Sequence, residues 1–325
     1  MMRVLVTGGS GFIGTNLVTF LLARGDEVLN IDLAAPMESA HAPNWRKVDI
    51  CDRQAVAVAV REFQPTHIAH LAALATFEAT KEELHASNVE GTVNVLDAAL
   101  AHAPAARVLM TSTQYVNGPG PAHDDDCKFH IVNDYGRSKA DAEIVTRQDK
   151  YAVLDWIITR PTNVWGAFHP RFPTEIWKYI RRGVYMHPGH HPIVRAYGYV
   201  GNVVRQMVVL FEAPDTRVRH RVFYLTDPNI DSYEFLNQFS LKLRGRSLLR
   251  VPYPLLKLLA LAGDAMKALG LKVPFRSDRL HRMTTSHTAR YETLWAEFGY
   301  RPTGLAEAVD ETTAWLKSRY PRLYP

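Results

Sequence analysis

Residues 3–14 read RVLVTGGSGFIG, and the fold turns on this stretch. A short run of apolar, β-branched character passes straight into glycines at Gly8, Gly11 and Gly14. It continues into TNLVTFLLARG (15–25), whose apolar residues recur at helical spacing. Strand, glycine turn and helix in that order form a seat for a diphosphate. One glycine permits the tight turn, a second lets backbone approach the ligand, and a third lets helix and strand pack closely. The helix then offers unpaired N–H groups and the positive end of its dipole.

Outward from this stretch the chain alternates. EVLNIDL (27–33), THIAHLAA (66–73), ARVLMTST (106–113) and DWIITRP (155–161) read as strands, separated by helical stretches such as NVEGTVNVLDAALAHA (88–103). Apolar strands alternating with helices predict βαβ units: an α/β, Rossmann-like, doubly wound parallel sheet with its ligand outside the carboxyl ends of the strands. After Gly166 the rhythm breaks, and aromatics, prolines, histidines and arginines crowd residues 166–200. RVFYLTD (221–227) reads as a strand returning to the sheet, and 232–325 as mostly helical. The expected organisation is a dinucleotide-binding domain over 1–165, with a returning strand near 221–227. Residues 166–325 then form mainly a smaller, discontinuous C-terminal substrate lobe.

The bulk composition excludes several classes. A chain of 325 residues, 47% hydrophobic and 22% charged, is that of an ordinary globular protein. The formal charge of +5 comes without a basic–aromatic stripe, so a small anionic ligand fits it better than nucleic acid. Cys51 and Cys127 have no metal-like spacing and read as unpaired thiols in a reducing cytoplasm. MMRVLVTGG runs directly into a strand, without the pattern of a signal peptide. The most apolar tract, PYPLLKLLALAGDAMKALG (252–270), is interrupted by Lys257, Asp264 and Lys267 and is too short to span a bilayer. It reads as an amphipathic helix buried in a core or an interface, with loose membrane contact as the alternative and no stable membrane insertion.

Two further features carry chemistry. In NDYGRSKADAE (133–143), Tyr135 and Lys139 stand four apart, on one face of a helix that Asn133 or Asp134 would cap. An ammonium beside a phenol favours the phenolate and pulls its pKa down toward the working range. Asp32, ending the second strand, can accept from both hydroxyls of an adenosine ribose and would repel a 2′-phosphate, which favours NAD over NADP. Asp49, in WRKVDI, can accept from an adenine amino group.

With TGGSGFIG, Asp32, DI (49–50), HLAA (70–73), NVEGT (88–92), STQYVNG (112–118), YGRSK (135–139) and RPTNVWG (160–166) in that order, the chain resembles the extended short-chain dehydrogenases/reductases. More narrowly, it resembles the NAD-dependent sugar epimerase/dehydratase family. The carboxyl end, LWAEFGYRPTGLAEAVDETTAWL (294–316), is similar to that family's closing signature. The resemblance implies Tyr135 as acid–base group, Lys139 on the nicotinamide ribose and Thr113 holding the reacting hydroxyl. It implies a cofactor site of Gly8, Gly11, Phe12, Ile13 and Gly14, with Asp32, Asp49, Ile50, Leu71, Ala72 and Ala73 at the adenosine end. Asn88, Ser112, Pro161 and Thr162 would line the nicotinamide end. Thr113, Gln114, Asn163, Arg195 and Arg279 would meet a nucleotide-sugar substrate, Arg195 clamping its diphosphate. A cytoplasmic homodimer, joined through helices that include the one bearing Tyr135, is the family's usual state.

The dehydratases of this family carry an Asp-Glu pair after the threonine, and the decarboxylating relatives keep the glutamate. Here Gln114 and Tyr115 stand there, and neither can act as a carboxylate. C4 epimerisation of an NDP-hexose through a 4-keto intermediate needs only hydride, proton and a turning intermediate, and is the favoured reaction. The alternative is a dehydrogenase or reductase of a non-nucleotide alcohol, such as a sterol-like or aldehyde substrate. The chain departs from the family at Gly201–Asn202, where an acidic pair is common, and at Ala75, where some galactose epimerases have lysine. Arg276, Arg279 and Arg282 fall at i, i+3 and i+6 of a helix that could reach the diphosphate. His187, His190 and His191 lack acidic or cysteine partners and read as a loop and not a metal site. Asp124, Asp125 and Asp126 read as a solvated loop at the pocket rim.

Overall fold

The computed structural model describes residues 1–324 other than 77, 190, 272 and 274. Five strands fall where the sequence pattern puts them: β1 (Arg3–Thr7), β2 (Glu27–Asp32), then β3 (Trp45–Lys47), which the pattern missed, β4 (His67–His70), β5 (Arg107–Thr111) and β6 (Asp155–Pro161). The segment Val222–Leu225 returns to pair parallel with β6, Val222 opposite Ile158 and Leu225 opposite Pro161. The sheet therefore runs Val222–Leu225, β6, β5, β4, β1, β2, β3, with every pairing parallel. Chain order reverses between β1 and β4, and a crevice opens there beyond the strand ends.

The pleat divides each strand between two cores. Val4, Val6, Val28, Ala69, Leu109 and Ile157 meet Leu17, Val18 and Leu21 of the helix Phe12–Ala23 and Val203, Met207 and Leu210 of the helix Val200–Glu212. Leu5, Ile31, Ile68, Val108 and Ile158 meet Val56 and Val60 of Arg53–Phe63 and Val95 and Leu96 of Gly91–His102 on the other face. Burial on both faces is why these strands read as continuous apolar runs.

The aromatic crowding after Gly166 has a structural cause. Trp165 lies 5.2 Å from Phe235, and Trp177 stacks at 4.9 Å on Phe239, building the hydrophobic floor under the second half of the chain. Short strand pairs frame it: Asn163–Trp165 with Tyr197–Tyr199, Val194–Arg195 with Ile230–Asp231, and Met186–Pro188 with Leu249–Val251.

One expectation is corrected and one is narrowed, since of the core or interface expected for the apolar tract the chain's own core is not what covers it. The apolar tract does form a helix, Tyr253–Ala268, but it buries only Leu256, Ala260 and Gly263. Three small contacts on a single stripe leave the leucines outside, because the helix touches the rest of the chain along one side only. Asp126 is only partly solvated, unlike the exposed Asp124 and Asp125: it pairs with the buried Arg160 and with Arg290. Of the three histidines, His187 is buried edge-on to Tyr233, His191 is exposed, and His190 lies outside the described residues. No helix among the described residues is long and apolar enough to cross a membrane.

Candidate functional site

The glycine turn is built to its limit. Gly8 has φ +73°, and a Cβ there would stand 2.6 Å from the backbone nitrogen of Ala72; a Cβ on Gly14 would stand 2.1 Å from the carbonyl oxygen of Gly8. The close approach of β1, the β4 exit and the helix Phe12–Ala23 therefore depends on hydrogen at both positions. Gly11 is the N-cap, with no side-chain cap and no acidic residue in the first turn, so the helix's leading N–H groups stay available to an anion. Phe12 and Ile13 form that first turn. At the tip of β2 the Asp32 carboxylate accepts from the backbone of Ser10 at 3.0 Å and of Ala34 at 2.9 Å, which fixes it beside the turn. Gly8, Gly11, Asp32, Asp49, Ile50, Leu71, Ala72 and Ala73 then line one cavity of about 330 Å³. Asp49 also accepts from the backbone of Cys51 at 2.9 Å, closing its own turn. A cradle a Cβ would fill, a free helix N-terminus and a carboxylate at the β2 tip suit the adenosine diphosphate half of NAD.

A hydrogen-bonded chain ties this crevice to the Tyr135 helix, Asp134–Thr146, which Asn133 caps through Gly136 at 2.7 Å. Thr7 Oγ1 lies 2.8 Å from His70 Nδ1, and His70 Nε2 lies 3.0 Å from Thr92 Oγ1, which donates to the Asn88 carbonyl at 2.7 Å. Since the Thr92 hydrogen is committed, His70 must donate from Nε2 and accept at Nδ1, a neutral tautomer. Burial agrees, pushing the His70 pKa down to about 3, with Lys139 adding to the shift. Asn88 sits on a π-turn, Ala86–Glu90, that the helical pattern did not reveal. Its amide donates to Ser138 Oγ at 2.9 Å, and Ser138 donates to the Tyr135 carbonyl at 2.9 Å.

Along one face of that helix stand Tyr135, Lys139 and Glu143, each four residues apart. Lys139 is 2% exposed and makes no hydrogen bond among the described residues. Burial pushes its ammonium down to about 8, partly offset by Glu143. An orphaned, buried ammonium is the feature a ribose hydroxyl pair would satisfy. Tyr135 departs from the expectation. Burial pushes the phenol up, to about 12, with Tyr115 adding to the shift and a hydrogen bond to Thr113 opposing it. In this dry pocket the loss of water outweighs the ammonium one turn away. Glu143 is fully buried; burial acts to raise its pKa, and Arg160 and Arg147 override that and hold it below the usual carboxylate range. Arg160 donates from Nε at 2.9 Å and from Nη2 at 2.8 Å, and Arg147 from Nη2 at 2.9 Å. Sequence reasoning missed Glu143 and Arg160. The only signal was a carboxylate at i+4 from Lys139 and an arginine just before Pro161.

Thr113 and Ser112 are buried at the end of β5. Gln114 is also buried, and neither its amide nitrogen nor its amide oxygen has a partner among the described residues. Pro161 ends β6, and Thr162 bonds Thr226 at 2.9 Å. A second cavity, of about 430 Å³, brings together Asn163, Arg195, Tyr197, Arg276, Arg279 and Arg282. Asn163 holds the Ala196 carbonyl at 2.9 Å. Arg195 is not a free clamp: its Nε donates to the Thr285 carbonyl at 3.1 Å and its Nη2 to that of Arg282. Beside it, Asp278 of the helix Ser277–Thr284 pairs with Arg276 and Arg282 at 3.2 Å each. Asn202, at a position that departs from the family pattern, is buried and bonds Asp227 and Thr303, a structural task. Among the described residues no group of three His, Cys, Asp or Glu side chains could hold a metal.

Known proteins share this fold. A probable dTDP-glucose 4,6-dehydratase from Sinorhizobium fredii is 32% identical over 202 residues, 54% of this chain and 56% of that protein. The chain thus spans little more than half the length of the first curated relatives it matches. An N-acetyl-α-D-glucosaminyl-diphospho-ditrans,octacis-undecaprenol 4-epimerase from Escherichia coli O157:H7 is 26% identical over 319 residues, 95% of this chain and 94% of the other. Among solved structures, Bordetella bronchiseptica WbmG in complex with NAD and UDP superposes with a TM-score of 0.73 at 21% identity, covering 98% of this chain and 96% of that one. The family model described as NAD dependent epimerase/dehydratase matches residues 4–225, from β1 through the returning strand and across every element that builds the glycine turn and the Tyr135–Lys139 face. The chain belongs to the NAD-dependent epimerase/dehydratase family.

Proposed function

We propose that the protein inverts C4 of a diphosphate-linked hexose, an NDP-hexose in the first reading, with NAD held between turnovers. The observation that carries this is the pair after Thr113: a buried glutamine and a tyrosine, where eliminating or decarboxylating chemistry would require a carboxylate. When bound, NAD supplies the hydride acceptor and donor and a positive charge at the nicotinamide. Next to that charge and to Lys139 the Tyr135 phenol becomes able to give up its proton, overcoming the burial that otherwise keeps it neutral. Tyr135 would then take the C4 hydroxyl proton, Thr113 would hold the same oxygen, and the 4-keto sugar would turn before hydride reaches the other face of C4 and Tyr135 returns the proton to the oxygen. Proton and hydride both come back, so no net redox change occurs. The arginines of the second cavity would hold the diphosphate while the sugar turns.

A second carrier is supported by the relative that spans nearly the whole chain, whose name gives a polyprenyl diphosphate in place of a nucleoside diphosphate. One experiment separates the readings. Proton NMR is recorded on purified protein mixed with UDP-glucose, UDP-galactose, their N-acetyl and uronic acid analogues, and a short-chain polyprenyl-diphosphate N-acetylhexosamine, with no nicotinamide added. Conversion of one anomeric signal into that of its C4 epimer supports the proposal and identifies the carrier. No conversion even with added NAD refutes it and redirects the search to small alcohols and ketones.

A further inference from the structure

The helix Tyr253–Ala268 is amphipathic in reverse. Its inward stripe is small, Leu256, Ala260 and Gly263, seated against Leu280. At Gly263 the chain passes so close that a Cβ would meet the Phe275 carbonyl oxygen at 2.1 Å, which fixes the helix to the segment leading into Ser277–Thr284. The helix's one acid, Asp264, is turned inward and accepts from the backbone of Ser277 at 3.3 Å. At 100° per residue, Lys257 and Asp264 fall beside the buried stripe and Lys267 within its arc, in the helix's last turn. The opposite side, an arc of roughly 140° through Leu255, Leu258, Leu261, Ala262, Met266 and Leu269, carries no charge. Leu258 is 65% and Leu269 81% exposed, and the apolar surface continues into Leu271. A soluble face would place its charges here and its leucines beneath.

The charge around this face points to what covers it. Residues 250–282 hold seven basic residues, Arg250 through Arg282, against two acidic ones, Asp264 and Asp278: a net +5, equal to that of the whole chain. On the helix itself Lys257 and Lys267 are exposed, while Arg276, Arg279 and Arg282 of the following segment turn to the second cavity. An apolar face rimmed by cations matches an anionic bilayer surface, whose headgroups take the lysines and arginines while the leucines enter the acyl boundary. A second copy is a poor match, since a two-fold contact would set one +5 segment directly against another. We infer that Tyr253–Ala268 docks the protein in the plane of an anionic lipid surface without crossing it. The helix Ser277–Thr284 buries Leu280 under this face and brings Arg279 and Arg282 to the substrate cavity, so docking sets that cavity at headgroup level.

The test is independent of the reaction. The full chain with its NAD is sedimented with vesicles of phosphatidylglycerol and phosphatidylethanolamine, and with phosphatidylcholine alone, at about 0.1 M salt. Leu258→Glu/Leu269→Glu, both at exposed positions, is run in parallel, with thermal melting and bound nicotinamide as checks of folding. The expected result is wild type in the pellet with the anionic vesicles, less with phosphatidylcholine, and a ratio of bound to free protein at least about tenfold lower for the double variant at unchanged melting temperature. Wild type left in the supernatant, or a double variant that pellets equally, overturns the inference. So does analytical ultracentrifugation in which wild type is a dimer, the double variant a monomer, and vesicles change neither; the face is then a contact between copies.

Discussion

Replacing Lys139 by methionine should abolish turnover and yet stabilise the cofactor-free protein at neutral pH. The side chain is 2% exposed with no hydrogen-bond partner among the described residues, and burial lowers its pKa from 10.5 to about 8. The sign comes from proton counting. Between pH 8 and 10.5 the unfolded chain holds this proton and the folded one does not, so stability rises with pH there. Below pH 8 both states are protonated and the full cost is present: about 2.5 units at about 1.4 kcal/mol each, or roughly 3–4 kcal/mol. Methionine keeps the stem, removes the charge and leaves Glu143 paired with Arg160 and Arg147. An unfolding entropy of about 0.7 kcal/mol/K for a chain of this length converts the gain to roughly 5 °C in Tm. Calorimetry of nicotinamide-free wild type and variant from about pH 6.5 to about pH 10 provides the assay. The variant should melt higher near neutral pH, and the two curves should converge as the solution becomes alkaline. Parallel curves, or a variant that melts lower at neutral pH, would show that the ammonium is not desolvated; burial would then no longer account for an affinity of Lys139 toward a ribose.

Three other perturbations address separate parts of the site. Tyr135→Phe should keep the fold and the bound NAD while kcat falls by roughly 10²–10⁴; near wild-type turnover by the NMR assay removes Tyr135 from the mechanism. Asp32→Asn should retain one acceptor for the Ser10 and Ala34 backbone while weakening NAD about tenfold and narrowing the preference over NADP; unchanged affinities by fluorescence titration would mean that no ribose meets this side chain. Glu143→Gln leaves the Arg160 guanidinium, itself fully buried, without its closer anion, which should cost about 3–5 kcal/mol and lower Tm by roughly 4–7 °C. A loss below about 1 °C would show that Asp126 alone suffices to hold Arg160.

Local periodicity made the sheet legible. The alternation in β1 that sends Val4 and Val6 to one core and Leu5 to the other is written in a few consecutive residues, and so is the Tyr135–Lys139 spacing. What the sequence concealed was distant in the chain or depended on burial. Glu143 and Arg160 lie 17 residues apart on a helix and a strand, and nothing local announces that they meet. The π-turn under Asn88 replaces a stretch whose pattern is ordinary helix, and only the hydrogen bonds to Leu74 and Ser138 show why the chain deviates there. For Tyr135, spacing puts the lysine one turn away on the same helix, but in the cofactor-free chain burial raises the phenol, because the cost of a dry pocket does not appear in a one-dimensional pattern.

The Tyr135 and Lys139 shifts have a common cause and opposite consequences. Burial raises the phenol and lowers the ammonium, so near neutral pH both move toward their uncharged forms in the cofactor-free protein. Glu143 limits this on the lysine side: placed one turn beyond Lys139 and kept ionised by two guanidinium groups, it holds the ammonium at about 8 and no lower. On the phenol, burial is opposed by the hydrogen bond to Thr113, a neutral group. A positive ligand would therefore act on Tyr135 more than on Lys139, whose charge is already secured from the other side. On the proposed mechanism the Tyr135 phenol would be primed by the cofactor and restrained without it, so that no phenolate is presented before the hydride acceptor is in place.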